Sequence, residues 1–318
     1  MRCLIVVSNR EKLCMHENSL KIKIEGMCPV DVVDIAYLYE TQEKWDLFQY
    51  NVILTFLGDG TVLKTLSVCT GKNNGFEKAE YMDFDISWPM HSSGSIPNNP
   101  DLLLENGRST PIIFSFDYGV KGRLCNIKKD IQEEGDALLD ELLNAISQNN
   151  QEKVLELYIN RTIKRNRLFI NQSVYFLNDI YVYTKTKGLL GSISISINEK
   201  PVYRCIRCDG VIISTPTGSS GYNSSAGGPV IHGSIDDAII ITFVCPADKK
   251  VSPIVVSASC KIRVKNGIEN DLVFGVVDGC LSVSDYELRI EGRKEGAVYF
   301  ADVTTDRIHS DFMEAIQE

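Results

Sequence analysis

The stretch that most narrows what this chain can fold into is Val52-Ile-Leu-Thr-Phe-Leu-Gly-Asp-Gly-Thr61, with Val62-Leu-Lys-Thr-Leu-Ser-Val-Cys69 directly behind it. Residues 52–56 are β-formers in succession, and a strand that is apolar on both faces belongs inside a parallel sheet. Gly58, Asp59 and Gly60 then break the pattern, Thr61 is the expected N-cap, and a helix should run to about Thr70. Strand, glycine turn and helix N-terminus in that order make an anion site. Glycine lets the backbone approach a phosphate, and the first helical N–H groups point toward it. A carboxylate in such a turn repels phosphate, so Asp59 is placed to meet Mg²⁺ or to take a proton from an attacking hydroxyl. Two commoner motifs fail: Leu63 stands where a P-loop needs glycine ahead of Lys64-Thr65, and where the dinucleotide fingerprint needs its third glycine. Taken alone, the turn also fits the capped turn of any α/β protein, and its meaning depends on the rest of the chain.

The segments around it alternate. Residues 4–7 read as a first strand and 30–40 as a helix with Val32, Ile35, Ala36 and Tyr39 on one face. Residues 71–110 read as an irregular insertion, punctuated by Asn73-Asn-Gly75 and Pro97-Asn-Asn-Pro100. Residues 111–116 restore a strand, Asp117-Tyr-Gly-Val-Lys-Gly122 supplies a second glycine turn, and 128–147 reads as a helix burying Ile131, Leu138, Leu142 and Ile146. Alternating strands and helices predict a doubly wound α/β domain. Beyond Gln151 the pattern changes to short strands with turns between them, at 154–163, 168–176, 180–184, 192–197, 211–214, 239–244, 254–256, 261–264, 272–276, 281–283 and 287–290. That predicts a mostly antiparallel, sandwich-like β domain. The expected division is an α/β domain at 1–127, carrying the insertion 71–110 and joined by a terminal helix within 300–318, and a β-rich domain at 128–299.

At 318 residues the chain can build two cores, and its net charge of −9 excludes the basic face of a general nucleic-acid or membrane-surface binder. The apolar runs are too short for a membrane span, and the start of the chain reads as a strand and not a signal peptide. The 10 cysteines and 4 histidines are scattered, which suits reduced thiols in the cytoplasm and no fixed protein metal site. Cys205-Ile-Arg-Cys208 has redox or zinc spacing, yet lacks a second pair, and reads as part of a strand.

Two further stretches carry chemistry. Thr215-Pro-Thr-Gly-Ser-Ser-Gly-Tyr-Asn-Ser-Ser-Ala-Gly-Gly-Pro229 follows a strand and offers a row of hydroxyls and N–H groups, with a buried Tyr222, suited to ribose, phosphate or an adenine edge. Asn178 and Asp179 sit side by side in an apolar β run, where unpaired polar groups cost stability. Together these pieces resemble the NAD kinase family. Leu57-Gly-Asp-Gly-Thr61, Asn178-Asp179, Asp209-Gly210, Thr215 to Ser219, Tyr222 and Ser225 to Pro229 occur in that family's order, with Gly119 and Gly122 fitting a third glycine turn and Val277-Asp-Gly279 a late Asp-Gly.

The resemblance implies phosphorylation of the 2′-hydroxyl of the NAD adenosine ribose by ATP with Mg²⁺, giving NADP, with Asp59 as general base. It implies phosphate contacts from Gly58, Gly60, Thr61, Gly119 and Gly122. It further implies NAD contacts from Asn178, Asp179, Arg207, Asp209, Thr215, Thr217, Gly218, Ser219, Ser220, Gly221, Tyr222 and Ser225, and a homodimer or homotetramer. Leu57 replaces a family glycine, and Asp179 a family Glu. A nucleotide-binding regulator with impaired catalysis and a lipid kinase sharing the Gly-Asp-Gly-Thr turn are the alternatives.

Overall fold

A computed structural model describes residues 2–8, 13–40, 49–71, 111–118, 124–125, 127–171, 174–185, 190–292 and 297–303. The expected insertion beyond Gly71, the glycines Gly119 and Gly122, and the expected terminal helix lie outside the described residues. In chain order the first half runs β1 (Cys3–Val7), α1 (Met15–Glu25), β2 (Val30–Asp34), α2 (Ile35–Glu40), β3 (Val52–Leu57), α3 (Asp59–Gly71), β4 (Ile112–Asp117), β5 (Ile127–Lys128), α4 (Gln132–Ser147), α5 (Gln151–Asn160) and β6 (Thr162–Arg165). Among the described residues these strands form one sheet in the order β2-β1-β3-β4, parallel throughout, with β5 parallel to the end of β4.

The two-faced apolar character of β3 now has its reason. Alternate residues of the central strands (Ile5, Val7, Leu54, Phe56, Phe114 and Phe116) enter a core closed by Leu20 and Ile24 of α1, Leu138 and Leu142 of α4, and Leu157 of α5. The intervening residues (Leu4, Val6, Ile53 and Ile113) enter another, closed by Leu38 of α2 and by Val62, Leu63 and Leu66 of α3. A period of two sends one strand into two layers.

The second half runs β7 (Leu168–Ile170), β8 (Val174–Phe176), β9 (Asp179–Tyr183), β10 (Gly191–Ile197), β11 (Lys200–Cys208), β12 (Gly210–Ser214), α6 (Tyr222–Ser225), β13 (Ile239–Val244), β14 (Ile254–Val256), β15 (Ile262–Asn266), β16 (Val273–Val277), β17 (Leu281–Asp285) and β18 (Glu287–Gly292). These make two antiparallel sheets, β11-β10-β15-β18-β7-β8 and β14-β13-β12-β9-β16-β17. Ile193, Ile195, Val264 and Ile290 from the first sheet meet Ile180, Val182, Val211, Ile213 and Ile241 from the second in a shared core. A final strand, β19 (Val298–Ala301), returns to the first sheet between β4 and β6. The chain passes from the first sheet to the sandwich between Arg165 and Leu168, downstream of the expected division at 127/128, which falls within β5.

Several expected elements differ. The helix expected at 30–40 is half strand: the β-branched Val30-Asp-Val-Val33 pairs with β1, and only Ile35–Glu40 is helical. The strand expected at 154–163 is mostly α5, because Val154, Leu157 and Tyr158 share a helical face on the first core. The helix expected from 128 starts at Gln132, after a two-residue strand and a 3₁₀ turn. The run 168–176 is a hairpin of two short strands. Helix α1 was not expected; its signals are a capping box at Cys14 and Glu17 and Gly26 beyond its end. The edge strand β11 also escapes the alternation rule, since most of it is exposed and its pairing with β10 is irregular.

Candidate functional site

Asp59 opens α3 at the carboxyl end of β3, where an open parallel sheet leaves its crevice. Thr61, expected as the N-cap, is instead inside the first turn; its N–H donates to the Gly58 carbonyl at 2.9 Å. The Asp59 Oδ1 accepts from the backbone N–H of Leu124 at 2.8 Å and of Cys125 at 3.1 Å. The carboxylate is thereby fixed in direction and complements the positive end of the helix. A Cβ added at Gly58 or Gly60 would meet nothing within 4 Å among the described residues. Packing among the described residues therefore does not require glycine at either place, which suits close approach of a phosphate. The Leu57 backbone belongs to β3.

The second group of residues is a corner between β8 and β9. Asp278, 6% exposed, accepts three successive backbone N–H groups: Leu177 on Oδ2 at 2.8 Å, and Asn178 and Asp179 on Oδ1 at 2.8 and 3.1 Å. The Asp278 N–H in turn donates to the Asp179 carbonyl at 2.9 Å. This residue sits at φ 48, outside the strand region, and so can turn its carboxylate back onto the corner. Burial pushes the Asp278 carboxyl up to about 6, against the pull of those three N–H groups and of Arg167. Asp179 is 9% exposed, and its carboxyl accepts no hydrogen bond from the described residues. Burial, then the charge of Asp278, raises it to about 7. The Asn178 Oδ1 is likewise buried without a hydrogen-bond partner among them. Sequence reading gave Asp278 no role; the Asp-Gly pair was its only mark.

The row of hydroxyls that follows divides into two sets. Thr215 donates to the Leu177 carbonyl and accepts from the Gly218 N–H at 3.1 Å. Ser219 donates to the Pro216 carbonyl at 2.6 Å and accepts from Ile231 at 2.9 Å. A Cβ on Gly218 would lie 2.2–2.7 Å from backbone atoms of Asn178, so glycine there is needed for the loop to lie on the corner. Asn223, which sequence reading did not pick out, is fully buried and ties the loop through Ser219, Pro229 and Thr242. Thr217 and Ser220 are half-buried, and Gly221, Tyr222 and Ser225 are exposed. The Asp179 Oδ2 faces Gly221, 3.9 Å from where a Cβ would stand. Tyr222, expected to be buried, is 45% exposed. The expected helix start at 219–225 is a 3₁₀ turn and the single turn α6, so no long helix N-terminus forms there. Arg207 and Asp209 are exposed at the end of β11 and just past it. Cys205 is exposed on the irregular part of β11 and Cys208 is buried in the sandwich core, so the Cys-x-x-Cys spacing gathers no site.

The two halves meet close to the site. Leu177, directly before Asn178, shares a cluster with Val62, Leu63 and Leu66 of α3 and with Leu124 and Cys125, whose N–H groups hold Asp59.

Residues 177–290 match the family described as the ATP-NAD kinase C-terminal domain. A bifunctional NADP phosphatase/NAD kinase of Methanocaldococcus jannaschii is 33% identical over 210 residues, which are 64% of this chain and 34% of that protein. An NAD kinase of Methanosphaera stadtmanae is 32% identical over 191 residues, 59% of this chain and 64% of that protein. The aligned stretch spans less than two thirds of either relative. The crystal structure of an NAD kinase from Archaeoglobus fulgidus in complex with ATP aligns over 100% of both chains with a TM-score of 0.65 and 22% identity. Yeast NADH kinase complexed with NADH aligns over 100% of this chain and 87% of that one, with a TM-score of 0.62 and 20% identity. At those identities the likeness is one of fold.

Proposed function

We propose that this chain, whose residues 177–290 match the ATP-NAD kinase C-terminal domain family, transfers a phosphoryl group from ATP to the 2′-hydroxyl of the NAD adenosine ribose and so makes NADP. The observation that carries the reading is the Asn178–Asp179 corner, where a buried carboxyl and a buried amide oxygen lack hydrogen bonds from the described residues. Such a pair costs stability until a ligand completes it, and neighbouring ribose hydroxyls are suited to do so. The relatives' names support the same substrate.

In this reading the bond from the 2′-oxygen to phosphorus forms as the bond to the ADP oxygen breaks, and the hydroxyl proton passes to Asp59. The transition state is loose and needs little covalent help, so the protein contributes position and charge. Gly58, Gly60 and Thr61 at the start of α3 receive phosphates, with Gly119 and Gly122 assigned to the same role. Asn178, Asp179, Arg207, Asp209, Thr217, Ser220, Tyr222 and Ser225 face NAD, while Thr215, Gly218, Ser219 and Gly221 shape the loop that carries them. Mg²⁺ enters with the ATP phosphates, keeping several of its waters; among the described residues no group of three or more His, Cys, Asp or Glu is placed to hold a metal ion. The α/β half thus supplies the base and the β-rich half the dinucleotide site. The enzyme is taken to act in the cytoplasm as a homodimer or homotetramer, which light scattering on the purified protein tests.

The deciding experiment is NADP formation from NAD, ATP and Mg²⁺, read with an NADP-specific dehydrogenase. Asp59→Asn should lower turnover by about 10²–10⁴-fold while calorimetric NAD binding stays within about twofold. Saturable NAD binding without turnover in the natural chain would favour the regulator. Absence of both would reject the reading.

A further inference from the structure

Strand β9 sends Ile180 and Val182 into the sandwich core, which leaves Tyr181 and Tyr183 on the outer face of their sheet. Tyr181 is held there from several sides. Its ring lies against Gly210, where an added Cβ would stand 2.3 and 2.7 Å from ring carbons. Its hydroxyl donates to the Asp209 carbonyl at 3.0 Å. Its ring stacks on Tyr183 at 5.5 Å and meets the Tyr222 ring in a T-shaped contact at 5.6 Å. Two of the groups it touches, the Asp209 backbone and the Tyr222 ring, belong to the residues assigned above to NAD, yet Tyr181 itself lies in no motif. Tyr222 sits on the single turn α6 and is exposed, and its ring meets that of Tyr181.

We propose that Tyr181 is a positioning residue for the dinucleotide, holding Tyr222 and the Asp209 corner so that they present a fixed aromatic face to a flat heteroaromatic ring of the substrate. The inference rests on the function proposed above and adds to it the residue that sets the geometry of the ring site. Burial raises the Tyr181 hydroxyl to about 12, so it remains a donor to the Asp209 carbonyl at neutral pH. The Gly210 position belongs to the same device. With any side chain there the ring could not lie flat on β12, and the hydroxyl would be lifted off the carbonyl.

The test compares Tyr181→Val with Tyr181→Phe in the NADP-forming assay, using melting temperature as a check on folding and the KM for ATP as an internal control. Tyr181→Val, which loses ring contact and hydroxyl, should raise the KM for NAD about tenfold, with kcat and the KM for ATP within about twofold. Tyr181→Phe restores the ring and should bring the KM for NAD back to within about threefold of the natural chain. An unchanged KM for NAD in Tyr181→Val overturns the proposal, as does an equal loss for NAD and ATP. An inactive natural chain would instead reject the underlying function, so the two failures are distinguishable.

Discussion

At the scale of single residues, the most informative pair is Asp179 and Asp278. Both are pushed above the ordinary carboxylate range, to about 7 and about 6, first by burial. The folded chain therefore holds protons there that the unfolded chain has released. Between roughly pH 4 and pH 7 the unfolded state binds fewer protons, so stability falls as pH rises through that window and levels off above it. Removing the charge at Asp179 should abolish most of its share. Asp179→Asn is expected to be more stable than the natural chain at pH 7.5 by roughly 1–3 kcal/mol, and to lose that advantage at pH 4.5, as read by urea midpoints. An advantage independent of pH would mean that Asp179 is not ionising while buried. The same variant should bind NAD more weakly, because a group kept at a cost in stability is expected to serve a ligand. Asp278→Asn should act differently. An amide cannot accept all three corner N–H groups, so it is expected to destabilise the fold by about 1–3 kcal/mol at neutral pH.

Among elements, the glycine positions separate packing from ligand space. Gly218→Ala would set a Cβ against the Asn178 backbone and should lower stability by about 1–3 kcal/mol or more, with loss of NAD binding. Gly60→Ala meets nothing within 4 Å among the described residues. Alanine suits a helical position better by about 0.8–1.0 kcal/mol, so this variant should melt no lower than the natural chain and yet raise the KM for ATP. A Gly60→Ala enzyme with the natural KM for ATP would remove the phosphate role of the turn. The difference between these glycines was not legible in the sequence, where both sit in a polar turn. The legible parts were those with an unbroken period: β3 with both faces apolar, β13, and the short alternating strands of the sandwich. The segment 30–40 was misread because a helical stripe (Val32, Ile35, Ala36) overlaps a β-branched run that pairs with β1. The segment 154–163 was misread because its apolar residues also fit an alternating reading, and the layer they cover decides between the two. Asp59, Asn178 and Asp179 stand out in the sequence by motif and Asp278 only by its Asp-Gly pair; the contacts of Tyr181 are distant in sequence and leave no local pattern.

For the whole molecule, the proposed function places its two groups of residues on either side of one apolar seam. Asp59 is held by the N–H groups of Leu124 and Cys125, and the Asn178–Asp179 corner follows Leu177. Leu177, fully buried, packs in one cluster with Leu124, Cys125 and the α3 residues Val62, Leu63 and Leu66. The return of the chain as β19 adds Val298 and Phe300 to the same cluster. Asp59 and the Asn178–Asp179 corner are thus joined through one apolar cluster. This distinguishes Leu177 from another buried leucine, Leu157 of α5, which packs on the far side of the sheet. Leu177→Ala and Leu157→Ala should each cost about 2–5 kcal/mol of stability, the usual range for such a cavity. At a temperature well below both melting points, Leu157→Ala should retain kcat within about twofold. Leu177→Ala should lose about tenfold or more, because a shift on the order of 1 Å between base and acceptor removes much of the gain from orientation. Equal kcat in the two variants, measured at matched folded fractions, would show that the seam serves stability alone.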